Sequence, residues 1–522
     1  MRKVAIDNPY ESVNWDSIEY LHSVSHQHSG HAEKKISRTL DALWRMGIRH
    51  FPLSNYYPSR PVYPLPSVFL EKHPEALAAP NAEHAACYSG DFNSLGSFYT
   101  AGSSWHRAVP ADGTVSPFDG VFSNLTVFDP AHDPWRGIYS INITIEALDA
   151  EAEVSLTVEG AKMIKFGTCE LIGDGLVRGR RIKIKPTGLF VRVESDPVQV
   201  RLEFDPAKTI VKGVMLKQMG WRPWREAFRA ALDGVRRDAN QNPIEGLLYP
   251  DAGGITLNHP ASDMDFYLEK LDFDPRVLGI EVWNAHFGFG VKDTLHFYRL
   301  WDDILRTGRR CFGFCVKDHF LPRTGRNVLL VPASTGLSRE TREHNALRAY
   351  RQGAFFGLLG AVATDTNGVQ VQPFDFSQFR FARITVKRGA DGKPESLETF
   401  VTGADKRVRP NLQVRFITDA GTAQVVNGKE HAGFTFPRDA AGAITCRFVR
   451  IEAFAYPDAL RNGERLTADR LTAMDVREIA RLHDWRDDQK TPMPIPVVDM
   501  IFSQPIRMNV ASGILKENDA AQ

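Results

Sequence analysis

The period of the apolar residues changes three times along this chain, and that change constrains its fold more than any other feature. Between residues 20 and 55 the sequence reads as strand, helix and strand. Ile36, Leu40, Leu43 and Trp44 share one helical face, Gly47 stops the helix, and Ile48 to Leu53 reads as the next strand. The pattern returns after residue 222, where Pro223 suits a first helical turn and Trp224, Phe228 and Leu232 form an apolar stripe. Gly254 to Leu257, Val277 to Trp283 and Cys311 to Val316 then read as strands. Thr294 to Leu305 reads as a helix stopped at Gly308, and Arg339 to Arg351 as a closing helix. Strands alternating with helices imply a parallel sheet or barrel.

Between the two α/β portions the period falls to two. Ile141, Ile143 and Ile145 alternate with Asn142, Thr144 and Glu146, and Val198, Val200 and Leu202 alternate with Gln199, Arg201 and Glu203. That is the signature of strands with one wet face. Residues 109–212 are therefore expected to form an inserted antiparallel β domain, sandwich-like in build, which divides the barrel into 1–108 and 213–362. Alternation around Ile384, Leu412 to Ile417 and Val449 to Ala453 predicts a C-terminal β-rich domain over 363–515, followed by a polar tail at 516–522. A chain of 522 residues accommodates such a division at roughly 100–200 residues per domain.

Sixty-four basic and 63 acidic residues leave a net charge of +1, so no global field favours nucleic acid or an anionic membrane. No basic run is interleaved with aromatics, and no nucleic-acid partner is expected. No apolar run has the length of a bilayer span, and the opening residues lack a signal-peptide core, which makes the cytoplasm the expected location. Five cysteines argue against a disulfide framework. Cys311 and Cys315 are spaced for thiolate metal binding, but their apolar neighbours favour small core residues.

His26 and His28 stand two apart at the end of the first strand, so an extended backbone projects both imidazoles from one face. At the C-terminal ends of parallel barrel strands such side chains enter a shared mouth. Glu83, His259 and the pair Asp318 and His319 occupy other strand exits. Imidazoles together with carboxylates suit zinc, manganese or iron, and a carboxylate such as Glu83 can bridge two ions.

Asn8-Pro9-Tyr10-Glu11, His26-Gln27-His28-Ser29, Asn258-His259-Pro260, Gly279-Ile280-Glu281-Val282-Trp283-Asn284 and Asp318-His319 together resemble the PHP (polymerase and histidinol phosphatase) family of metal-dependent phosphoesterases. The resemblance covers residues 8–108 and 213–362. It implies a distorted (β/α)7 barrel with a metal cluster at its mouth and hydrolysis of a phosphate ester, small or carbohydrate-linked. It implies His26, His28 and bridging Glu83 at a first ion, His259 at a second, and Asp318 and His319 completing the set.

The chain departs from the family pattern at three places. Asn55 and Tyr56 stand where the second strand usually ends in Asp-His, Asn93 stands where another His is usual, and Asp318 and His319 are adjacent rather than separated by one residue. Glu33 or His31 could substitute as ligands, the alternative being an ordinary helix cap. A reduced cluster of one or two divalent ions follows. Tyr56 is then a candidate hydrogen-bond donor to a leaving oxygen. Asp318 is either a ligand or a group that orients an imidazole. Lys317, Arg323 and Arg326 are candidates for neutralising phosphoryl charge, each also readable as an ordinary surface charge. His22, His50, His84, His106 and His286 are left outside the ligand set. The expected activity is metal-dependent phosphoester hydrolysis. The alternatives are a catalytically reduced protein that binds a ligand or glycan through its β domains, and a metal-dependent amide or lactone hydrolase.

Overall fold

A computed structural model describes residues 6–29, 33–55, 61–84, 91–99, 105–108, 116–125, 127–129, 137–147, 153–165, 170–171, 175–178, 190–218, 224–234, 245–285, 297–319, 325–359, 379–404, 406, 409–460, 462–480, 482–485, 494–496 and 498–508. The candidate residues His31, Tyr56 and Arg323 and the tail at 516–522 lie outside the described residues. The protein is mixed α/β, with several sheets and more strand than helix.

Two sheets carry the α/β part. In the first, Ile18–Ser23 lies parallel to His50–Phe51, which lies parallel to Leu77–Ala78. On its other side Ile18–Ser23 runs antiparallel to Arg326–Pro332, and Phe355–Leu359 follows. In the second, Gly254–Leu257, Val277–Asn284 and Phe312–Val316 are parallel, while Phe92–Leu95 and Glu83–His84 add antiparallel edges. Leu21, Leu77 and Leu329 of the first sheet share one core with Leu95, Leu278 and Phe314 of the second. The two sheets thus pack around a common core, as a mixed α/β unit of several sheets. At one side Ser94 N and Gly96 N donate to Ala82 and Pro80 carbonyls, at 3.1 and 2.8 Å; at the other a single bridge pairs Gln27 with Asp318.

Helices cover this core where the 3.6-residue period predicts them. Glu33–Arg45 ends before Gly47, whose φ of 81° is left-handed. Arg339–Gln352 is capped by Ser338, which accepts from Thr341 N, and stops at Gly353 with φ 75°. Only glycine fits there, because a Cβ at residue 353 would approach the Phe312 ring to 2.4 Å. Phe297–Arg306 buries Phe297, Trp301, Ile304 and Leu305, packing against Val277–Asn284. The strand read over Ile48 to Leu53 is confined to His50–Phe51, since Leu53 N turns back to the Phe51 carbonyl.

The inserted β region forms two sheets whose apolar faces meet over Ile141, Val154, Val191, Val200 and Leu216. Along Val198–Phe204 every second residue is buried, as the period of two requires. Trp105–Ala108 pairs with Thr209–Gln218, so this sheet also includes residues before 109. The C-terminal strands Asn411–Thr418, Phe448–Tyr456 and Asp499–Ser503 hydrogen-bond into the same sheet as Phe355–Leu359. Phe448–Tyr456 is buried at every position and serves two cores. Phe448 and Phe454 pack with Trp301, and Val449 and Ile451 with Phe381. Among the described residues no helix is long and apolar enough to cross a membrane.

Burial of that strand encloses Arg450, 1% exposed, whose guanidinium holds both oxygens of Asp302 at 2.9 Å and also donates to Glu452 and Tyr298 Oη at 2.6 Å. Removing one member of a buried ion pair leaves the other uncompensated. Arg450→Ala is expected to lower unfolding free energy by about 3–5 kcal/mol in urea titration; a loss under about 1 kcal/mol, the range of an exposed pair, would contradict this role.

Candidate metal centre

His26 and His28 lie just beyond Ile18–Ser23, where the chain pairs with the exit of Phe312–Val316. Asp318 N donates to His26 O at 2.9 Å, His28 N to Asp318 O at 3.2 Å, and Gln27 Nε2 to the same Asp318 carbonyl at 2.8 Å. This places two imidazoles from one sheet beside a carboxylate from the other. Asp318 has φ 59° and His259 has φ 21°; besides Asn124 they are the only non-glycine residues with positive φ among those described. Such backbone costs on the order of 1–3 kcal/mol and persists only where its surroundings enforce it.

Four donor atoms converge. His26 Nε2 lies 3.2 Å from His28 Nε2, 3.1 Å from Glu83 Oε2 and 3.5 Å from Asp318 Oδ1. His28 Nε2 lies 2.8 Å from Glu83 Oε2 and 3.4 Å from Asp318 Oδ1. Four ligands arranged tetrahedrally at roughly 2.0–2.1 Å from one ion are separated by about 3.3 Å, so these spacings match the edges of such a site. Glu83 Oε2 and Asp318 Oδ1 are buried and receive no well-directed hydrogen bond, although both are in ion-pair reach of the imidazoles. Buried orphan acceptors of this kind are places where an ion is expected.

Glu281 explains the orientation of His26. Its Oε1 lies 2.6 Å from His26 Nδ1, which therefore carries the hydrogen and leaves Nε2 to face the cluster. Its Oε2 accepts from His259 N at 2.7 Å and Asn284 Nδ2 at 3.0 Å, and Asn284 also donates to Asp318 Oδ2 at 3.2 Å. One carboxylate thus holds three strand exits in register.

The other oxygen of Glu83 serves a second group. Glu83 Oε1 lies 3.3 Å from His259 Nε2 and accepts from Asn258 Nδ2 at 2.8 Å, while Asp91 Oδ2 lies 3.6 Å from His259 Nε2. Glu83, Asp91 and His259 form a set compatible with a second ion, with Glu83 as the bridge. The donor sets fit divalent cations in both places.

Electrostatics follow from this crowding in the metal-free protein. Burial opposes charge on His26, but Glu83, Glu281 and Asp318 outweigh it and raise its pKa well above the ordinary value. Burial likewise opposes charge on Glu83, but the charge on His26 and the close imidazoles of His259, His26 and His28 hold its carboxyl well below the usual range. Burial would lower His259, yet its hydrogen bond with Glu83 brings it to about 9. Burial and the neighbouring Glu83 push Asp91 up to about 6.

The structure brings together His26, His28, Glu83, His259 and Asp318 from the sequence expectation. His319 stands at the edge: its ring stacks on His28 at 4.2 Å, its side chain is half exposed, and it is not one of the four converging donors. Lys317 and Arg326 are not brought to the cluster. Lys317, just past the end of Phe312–Val316, lies in a buried region where Arg326 and Cys315 act on it. Arg326 is buried there too and donates to Met46 O at 2.7 Å. Neither is a surface charge as the alternative reading held.

Asn55 and Asn93 are hydrogen-bonding groups: Asn55 Oδ1 accepts from Ser29 N at 2.8 Å, and Asn93 Nδ2 donates to Ser25 O at 3.2 Å. His50 pairs with Ser23 Oγ and His84 with Ser94 Oγ, both at 2.8 Å and both buried. Cys311 and Cys315 are buried thiols whose pKa burial raises, to about 12 for Cys311, which suits core residues rather than thiolate ligands. Sequence reasoning missed Glu281 and Asp91. The available signal was a lone carboxylate inside the apolar run Gly279 to Trp283, since a buried charge requires a partner. No protein-family model matches this chain, and no curated protein gives a significant match to it.

Glu281→Gln is expected to weaken zinc binding by about 10–100-fold in competition with a chromogenic chelator, with the fold retained; unchanged affinity would remove Glu281 from the centre. The pH dependence has a definite sign. In the metal-free protein His26 stabilises the fold fully below its unfolded value of 6.5, and this is lost as pH rises through the raised folded value. Glu83 stabilises above its unfolded value of 4.5, and this is lost as pH falls through its depressed folded value. Metal binding needs a proton-free imidazole nitrogen, so its contribution grows as His26 loses its proton. The gap in Tm between zinc-loaded and chelator-treated protein should therefore widen from about pH 5.5 to about pH 8; a pH-independent gap would contradict this ligand set.

Proposed function

We propose that this chain is a metal-dependent hydrolase acting on a phosphate ester, small or carbohydrate-linked, with a PHP-like distorted barrel carrying its centre. The observation that supports this most is the convergence of His26 Nε2, His28 Nε2, Glu83 Oε2 and Asp318 Oδ1 at spacings of 2.8–3.5 Å in a buried site. Zinc, manganese or iron fits the mixture of imidazole and carboxylate, with one or two ions shared across Glu83. His26, His28, Glu83 and Asp318 would hold a divalent ion, which when bound would lower the pKa of water toward neutrality and polarise a phosphoryl oxygen.

The chain's own residues supply the rest. His26 and Glu83 form the buried wall, whereas Asp91 and His259 are partly exposed and His319 half exposed. Substrate therefore approaches from the side of Asp91, His259 and His319. His319, stacked on His28 and half exposed, would hydrogen-bond a phosphoryl oxygen on this reading. Glu281 fixes which nitrogen of His26 faces the reaction. A second reading, a catalytically reduced binding protein, is favoured by Asn55 and Asn93, whose side chains are spent on backbone groups at Ser29 and Ser25.

Elemental analysis combined with hydrolysis of p-nitrophenyl phosphate and a sugar-phosphate panel separates these readings. The wild type should carry one or two ions per chain, and His26→Ala should lose metal and reduce turnover at least about a hundredfold. Unchanged metal content in both His26→Ala and His259→Ala would refute the centre. Bound metal with no turnover of any phosphate ester would select the binding reading.

A further inference from the structure

Away from the metal centre, on the outer side of strand Leu77–Ala78, lies a cavity of about 320 Å3 between that strand, the segment from Tyr63 and the start of helix Arg339–Gln352. No ligand of the metal centre lines it. Its volume is at the lower end of the roughly 300–1,000 Å3 typical of small-molecule pockets. The floor is apolar, with Pro64, Leu65, Leu70 and Leu248; the polar groups gather at one end, as Tyr63, Tyr249, Glu340 and Glu343.

Glu343 is the centre of that end and is 5% exposed. Its Oε1 accepts from Ala78 N and its Oε2 from Tyr63 Oη, both at 3.0 Å, so it faces the cavity in a fixed orientation. Glu340 lies one helical turn before it on the same face. The remaining charged wall residue, Arg339, donates to the Pro74 carbonyl at 2.8 Å, which draws its guanidinium toward the loop before Leu77. Among the described lining residues, two carboxylates against one such guanidinium leave a net negative charge. The tyrosines report the same field. Burial first, and then Glu340 and Glu343, push Tyr249 up to about 12, and burial with Glu343 raises Tyr63.

We infer that this cavity is a binding site for a small organic cation, an ammonium group joined to a short apolar body. The ammonium would sit among Glu343, Glu340 and the tyrosine rings, where charge-assisted hydrogen bonds and cation–π attraction act together. The apolar body would cover Leu65 and Leu248. Such a partner also offsets the burial that raises the Glu343 carboxyl pKa.

Calorimetric titration of the full chain with 2-phenylethylamine, 2-phenylethanol and phenylacetate tests this directly. The amine should bind at least about tenfold more tightly than the alcohol, and more tightly still than the acid, as expected for one charge-assisted hydrogen bond. Glu343→Gln, which keeps an acceptor for Ala78 N, should lose that preference. The exposed Glu340→Gln, which leaves the core intact, should weaken the amine severalfold and serves if the first variant misfolds. An amine no tighter than the alcohol overturns the assignment, as does amine binding indifferent to the charge at residue 340 in a folded variant. Metal content is unaffected by either variant, so the outcome is independent of the metal centre.

Discussion

The pairing of Gln27 with Asp318 is the contact on which the rest of the site depends. Phe312–Val316 is the edge of its sheet, and its exit meets the extension of Ile18–Ser23 through Asp318 N to His26 O, His28 N to Asp318 O, and Gln27 Nε2 to Asp318 O. A typical hydrogen bond contributes only about 1 kcal/mol net, but a buried group left unpaired costs about 1–3 kcal/mol. Parting the seam would expose several such groups at once. It would also separate His26 and His28 from Asp318, and the αL backbone at Asp318 would lose the contacts that hold it.

Charge balance favours a cation at this seam. Glu83, Glu281 and Asp318 are buried with His26, and each side chain is at most 2% exposed. Even with His26 and His259 both protonated, two imidazoles do not neutralise three carboxylates, and isolated buried charge is costly. Asp91 reports the same excess from outside the inner cluster, since burial and Glu83 raise its pKa to about 6. A divalent ion supplies the missing positive charge without the directional demands of additional hydrogen bonds. The absence of well-directed donors to Glu83 Oε2 and Asp318 Oδ1 is consistent with that demand.

Much of this was legible in the sequence because it follows from period. His26 and His28 share a face as extended backbone requires, and their Nε2 atoms lie 3.2 Å apart. His259 and Asp318 were found because both follow short apolar strands. Glu281 was hidden for the converse reason: it lies within an apolar strand, where pattern reading treats a residue as core. The C-terminal strands were legible as strands but not as members of the first sheet. Pairing between residues separated by long intervals, such as Phe355–Leu359 with Asp499–Ser503, leaves no local trace. Lys317 looked like a charge beside a ligand; it is buried where Arg326 and Cys315 act on it.

Asn55 and Asn93 give the departures from the PHP-like pattern a physical meaning. Measured against that pattern, Asn55 stands where an Asp is usual and Asn93 where a His is usual, and each carboxamide makes a directed hydrogen bond. Asn93 and Asn81 both donate to the Ser25 carbonyl, at 3.2 and 2.8 Å, immediately before His26. Asn55 accepts from Ser29 N, immediately after His28. The five-residue segment from Ser25 to Ser29 is therefore held at both ends by buried amides, with Gln27 fixing its middle to Asp318. Fewer potential ligands are thus coupled to tighter placement of those that remain. Preorganised donors need less reordering when an ion binds, so loss of ligand number and retention of a competent inner site are compatible.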